Sequence, residues 1–63
     1  LQWLQEIRGQ LRLTQQQAAD ICGISRFYYI KIETRGIAPP VRTAKRIAQA
    51  MGFDWTMFYE EIS

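Results

Sequence analysis

Residues 14–33 read TQQQAADICGISRFYYIKIE, and the rest of the chain is arranged around them. Thr14 is placed to act as a helix N-cap, and Gln17, three residues later, can return a hydrogen bond to the N–H of the cap, which together make a capping box. A helix is therefore predicted from Gln15 onward. Ala18, Ala19 and Cys22 fall on one face of it. The small side chain of Ala19 lets a following helix cross closely at a steep angle, where a larger one would force the two apart. Gly23 takes the positive φ that ends a helix at low steric cost, and Ser25, two residues on, is the next N-cap. The stretch thus specifies two short helices and a tight turn encoded at both ends.

In the second of these helices, Ile24, Tyr29 and Ile32 point inward by helical spacing, whereas Arg26, Phe27, Ile30, Lys31 and Thr34 fall on the opposite side. An exposed Arg or Lys taken singly is ordinary solvated charge. Here the two cations flank exposed apolar side chains on one short helix.

Working outward, Leu4, Ile7 and Leu11 recur at helical spacing and predict an apolar stripe on a first helix, with Gly9 weakening its last turn and Trp3 at the core edge or exposed. After the central stretch comes TRGIAPP, residues 34–40, whose glycine and prolines stop the helix and turn the chain. Val41, Ala44, Ile47, Ala48 and Met51 then mark an amphipathic helix closed by Gly52, with Arg42, Lys45 and Arg46 mostly outside its apolar stripe. Asp54 caps a last short helix that carries Trp55 and Phe58 as core residues. The expectation is an all-α fold of five helices forming one domain over residues 1–63.

Sixty-three residues lie near the lower limit for a single core without disulfides or metal. One cysteine excludes an internal disulfide, and the absence of histidine leaves too few ligands for a conventional zinc site. No apolar run approaches the roughly 20 residues that span a bilayer, and no signal peptide opens the chain. A soluble protein of a reducing cytoplasm is expected, with no membrane partner, no cofactor and no small-molecule site. The chain opens on Leu1 rather than Met, as a domain excised from a longer protein would. The net charge of +2 hides an asymmetry: all eight Lys and Arg precede residue 47, while three of the six acids, Asp54, Glu60 and Glu61, follow residue 53. Such a field suits a polyanionic partner.

Together, Thr14-Gln15, Ala19, Gly23-Ile24-Ser25, Tyr29, Ile32-Glu33, Pro39, Ile47-Ala48, Gly52 and Asp54-Trp55 resemble the lambda repressor and Cro-like helix-turn-helix domains of bacterial and phage regulators, over residues 4–58. The resemblance implies that the helix after Gly23 lies in the DNA major groove. It implies an ion pair between Arg8 and Glu33, where the plain alternative is an exposed Arg8. It places Gln15 against the DNA backbone, where Thr14 adds its hydroxyl and the free helix N–H groups receive a phosphate. The chain departs from the family at Arg35, where glycine is usual and Gly36 comes one step later. Either Arg35 adopts a left-handed conformation or the turn is rebuilt.

The function expected is sequence-specific binding of double-stranded DNA by a transcriptional regulator, a repressor of a phage or mobile element, acting as a homodimer on a two-fold-symmetric site. Base contacts are assigned to Arg26, which can bond both guanine acceptors, to Phe27 against a thymine methyl, and to Lys31 on a guanine or a phosphate. Backbone contacts are assigned to Thr14, Gln15, Tyr28, Thr34, Arg35 and Arg42, with Lys45 and Arg46 left to solvent. Trp55, Phe58 and Tyr59 either form the dimer contact or close the core. No catalytic group stands out: Ser25 and Ser63 have no histidine to activate them, and the paired acids Glu60 and Glu61 belong to a solvated tail. The competing expectation is a protein-interaction module, an antitoxin or anti-repressor component, that grips a partner through the apolar side of the third helix and the aromatic C-terminus.

Overall fold

The computed structural model describes the backbone of residues 1–62 and the side chains of residues 1–60. The Glu61 side chain and Ser63 lie outside the described residues. Four α-helices, α1 (Gln2–Gln10), α2 (Gln15–Cys22), α3 (Arg26–Arg35) and α4 (Val41–Met51), lead into a 3₁₀ helix over Trp55–Ile62. No strand occurs among the described residues.

The capping box forms at the start of α2. The Thr14 hydroxyl accepts from the Gln17 N–H at 3.0 Å, and the Gln17 side-chain oxygen accepts from the Thr14 N–H at 2.9 Å. At the other end Gly23 takes φ +70°. Its N–H donates to the Asp20 carbonyl, and the Ile24 N–H reaches back to the Ala19 carbonyl, so the last carbonyls of α2 are satisfied within the turn. Ser25 then caps α3 by accepting from the Tyr28 N–H at 3.1 Å.

α2 packs against both α3 and α4, α1 lies on α3, and the 3₁₀ helix lies on α4. The core collects Leu4 from α1, Ala18, Ala19 and Cys22 from α2, and Tyr29 and Ile32 from α3. Ala44, Ile47 and Met51 from α4 and Phe58 complete it. Alanines on α2 and α4 are what let helices of this length approach closely, while Leu4, Ile32 and Ile47, each fully buried, supply roughly 1.5–3 kcal/mol apiece. Trp3 resolves as a core-edge residue: its ring meets those of Phe53 and Phe58 edge-on, each at a 5.2 Å centroid distance. Burial pushes the Cys22 thiol up to about 11, so it behaves as a small apolar side chain.

The structure corrects the sequence reading at three positions and decides between the two alternatives left open at a fourth. Leu11 was expected on the apolar stripe of the first helix, but α1 ends at Gln10 and Leu11 is 44% exposed, with Leu13 packing on the core in its place. The reversal at Arg12, φ +57°, turns the chain before a third apolar position can face inward. Val41 is 47% exposed because it opens α4 beyond the reach of the packed layers, which begin at Ala44. Ile30, read as outward, is half-buried. In the last case the turn after Glu33 is rebuilt rather than strained: α3 runs one residue further, to Arg35, and Gly36 at φ +66° supplies the left-handed cap.

Candidate nucleic-acid interface

Apolar residues are spread around the whole of α3: its inner side packs into the core, while its outer side also carries an apolar ring in the open. Tyr29, Ile32 and Glu33 are buried on the inner side. Outside, Arg26 and Lys31 are exposed, Tyr28 is half-buried, and Phe27 stands 76% exposed, the most open large apolar side chain among the described residues. A benzyl group at that level is apolar surface that a partner would gain by covering.

The inner side is held by a polar lock. Arg8 Nε donates to Glu33 Oε2 at 2.8 Å and Arg8 Nη2 to Oε1 at 3.0 Å, a two-pronged pair between α1 and α3. Arg8 Nη1 donates to the Leu13 carbonyl at 2.9 Å, and Gln15 Nε2 donates to Glu33 Oε1 at 3.2 Å. Burial opposes ionisation of Glu33, but hydrogen bonds from its neighbours, Arg8 foremost, and the Arg8 charge outweigh it and hold the carboxyl below its usual range. Burial, then the adjacent Glu33 carboxylate, pushes the Tyr29 phenol well above its ordinary value. Its hydroxyl is the one buried side-chain polar atom among the described residues without a hydrogen bond of good geometry. The network fixes the start of α2, where the sequence assigns phosphate contacts, relative to α3, which carries the assigned base contacts.

Individual side chains are more constrained than their sequence positions suggest. The Thr14 hydroxyl accepts from Gln17 and so keeps its own hydrogen free to donate outward. Gln15 is half-buried with one amide hydrogen committed to Glu33, leaving the second and the first-turn N–H groups of α2. Thr34 is exposed, yet its hydroxyl donates to the Ile30 carbonyl at 2.7 Å. Arg35, in the last turn of α3, and Arg42, in the first turn of α4, are both exposed.

The two remaining basic residues of α4 are engaged elsewhere. Lys45 lies over the Trp55 ring at 5.1 Å from its centroid. The Arg46 guanidinium sits against the α2–α3 turn, 3.5 Å from where a Cβ on Gly23 would be. Among the aromatic residues, Phe58 is buried in the core, while Trp55 and Tyr59 are half-buried and meet edge-on at 6.0 Å. The Tyr59 hydroxyl donates to the Pro39 carbonyl. The Gln15–Glu33, Lys45–Trp55 and Arg46–Gly23 contacts escape sequence reasoning because each joins residues from different elements with no periodicity linking them.

Among the described residues no cluster of His, Cys, Asp and Glu can hold a metal, and no helix is long and apolar enough to cross a membrane.

The helix-turn-helix family model matches residues 4–58, which spans α2, α3 and their supporting helices. An uncharacterized HTH-type transcriptional regulator of Bacillus subtilis (strain 168), YqaF, is 38% identical over 60 residues, covering 95% of this chain and 79% of its own. No solved structure matches the chain. With its capped α2, glycine turn, and α3 locked through Arg8 and Glu33, the chain belongs to the lambda repressor and Cro-like helix-turn-helix family, a family of DNA-binding transcription regulators.

Proposed function

We propose that this domain binds double-stranded DNA sequence-specifically and acts as a transcriptional repressor, with α3 in the major groove. The observation that carries the reading is the outer side of α3. Phe27 is 76% exposed between the cations Arg26 and Lys31, on a helix whose other side is immobilised by the Arg8–Glu33 pair. Rigid presentation matters because base readout depends on bidentate geometry, which a loose helix does not hold.

In the mechanism, phosphates set the register and α3 reads base edges. Thr14 and the free donors of Gln15 receive one phosphate, Tyr28 and Arg35 flank α3, and Arg42 receives another at the start of α4. Thr34 joins them by turning its hydroxyl from the Ile30 carbonyl to a phosphate. Arg26 bonds guanine O6 and N7, Phe27 packs on a thymine methyl, and Lys31 takes a guanine or a phosphate. One such module covers about one half-site, so a homodimer occupies a two-fold-symmetric operator. The exposed edges of Trp55 and Tyr59, which pack against the core that Phe58 completes, form the dimer surface.

Arg26→Ala and Arg42→Ala test the division of labour. The first is expected to cost roughly 1–3 kcal/mol and relax one operator position, the second to weaken all sites alike. An unchanged site preference in the Arg26 variant removes its assigned role. The exposure of Phe27 also favours a second reading, a module that grips another protein through this apolar side. Binding to that partner would be nearly indifferent to salt, whereas binding to DNA is not.

A further inference from the structure

We infer that Arg12 is a further DNA-backbone contact, a phosphate-binding side chain presented by the left-handed turn between α1 and α2. The inference rests on the DNA-binding reading above.

Four described residues take a positive φ. Three are glycines, Gly23, Gly36 and Gly52, and the fourth is Arg12 at +57°. The conformation itself is required. The chain must leave α1 at Gln10 and enter α2 at Gln15, and three hydrogen bonds hold the reversal. The Arg12 N–H donates to the Gly9 carbonyl at 3.0 Å, the Leu13 N–H to the Arg8 carbonyl at 3.2 Å, and Arg8 Nη1 to the Leu13 carbonyl at 2.9 Å. Glycine satisfies such a position without the clash that any Cβ brings.

The fold therefore accounts for the backbone at residue 12 and leaves the arginine unexplained. Its side chain is exposed and makes no ion pair among the described residues, unlike Arg8. No acid occurs from residue 7 to residue 19, so the cation is locally uncompensated. An observed strained residue with no structural use points to function. Arg12 stands two residues before Thr14, and Arg8 fixes its turn to the same lock that holds Gln15, so its charge belongs to the edge where Thr14 and Gln15 are assigned a phosphate. The group that fits a lone, solvent-facing guanidinium there is a phosphodiester of the DNA backbone.

The test compares the wild-type chain with Arg12→Gly, Arg12→Lys and Arg42→Ala. Melting temperatures are measured, as is affinity across a salt series for a duplex selected from random sequence and for an unrelated duplex. Arg12→Gly is expected to melt at or above the wild-type temperature while binding both duplexes more weakly, with the slope of log K against log salt shallower by about 0.9. Arg12→Lys is expected to keep the wild-type slope. A lower melting temperature in Arg12→Gly would make the side chain structural, and a loss confined to the selected duplex would make it a base reader; either overturns the proposal. An unchanged slope in Arg12→Gly beside a reduced one in Arg42→Ala removes Arg12 alone. Absence of salt-dependent binding by the wild-type chain removes the DNA-binding reading with it.

Discussion

Arg8 of α1 and Glu33 of α3 are joined by two hydrogen bonds, Nε to Oε2 at 2.8 Å and Nη2 to Oε1 at 3.0 Å, with Glu33 almost completely buried. The remaining Arg8 prong holds the Leu13 carbonyl and Gln15 shares the same carboxylate. One ion pair therefore sets the angle of α3, the entry to α2, and the turn between α1 and α2.

Breaking one half of this pair should be worse than removing both. Arg8→Met leaves a buried carboxylate without its cation, and a loss of roughly 2–3 kcal/mol is expected, somewhat below the roughly 3–5 kcal/mol of fully buried pairs because Arg8 is partly exposed. Combining it with Glu33→Met should recover part of that loss. Denaturant melts of the two single variants and the double variant measure the coupling, and strictly additive losses would mean that the pair carries no energy of its own.

Acid should loosen the fold through Glu33. Its folded carboxyl titrates below the ordinary glutamate value of about 4.3, so its contribution is complete above that value and is lost as pH falls through the lower folded value. Asp54, held down by bonds from Thr56, acts in the same direction. Melting temperatures followed from neutral pH into acid should fall less steeply in Glu33→Gln than in the wild-type chain. Equal slopes would show that Glu33 does not govern the transition.

Phe27 supplies a test of base reading that leaves the protein unaltered. If its ring lies on a thymine methyl, replacing that thymine by uracil in a bound duplex deletes the methyl alone and should weaken binding several-fold. Placing 5-methylcytosine opposite guanine at the same position should bind better than unmethylated cytosine. Indifference to the methyl at every position would remove Phe27 from the set of base contacts.

Gly36 should resist substitution. Gly36→Ala puts a Cβ at φ +66°, and about 1 kcal/mol of stability is expected to be lost, a melting shift of about 4–8 °C for a domain this small. A variant that melts with the wild-type chain would mean that the α3 cap rearranges freely.

How much of this was legible in the sequence follows from the range of each interaction. The capping box at Thr14 and Gln17, the Gly23 turn and the Ser25 cap are local, and residue types at fixed offsets specify them. The inward faces of α2 and α4 follow from helical spacing, except where an element ends: Leu11 and Val41 keep the spacing but lie where no neighbouring layer covers them. Arg12 carried no signal, because a left-handed arginine is indistinguishable in sequence from an extended one. For the interface, Arg26, Phe27 and Lys31 were legible as an outward set. The commitment of Gln15 to Glu33 and of Thr34 to Ile30 depends on atomic distances that residue types do not encode.

The central claim, that α3 reads duplex DNA from a rigid frame, is tested most directly by selecting bound fragments from random duplex DNA and following the affinity of the winners at two salt concentrations. Recovery of a palindromic motif is expected, with log K falling by about 0.9 per phosphate neutralised for each tenfold rise in salt. Weak binding to every duplex, indifferent to sequence, would contradict the claim and turn attention to a protein partner for the apolar side of α3.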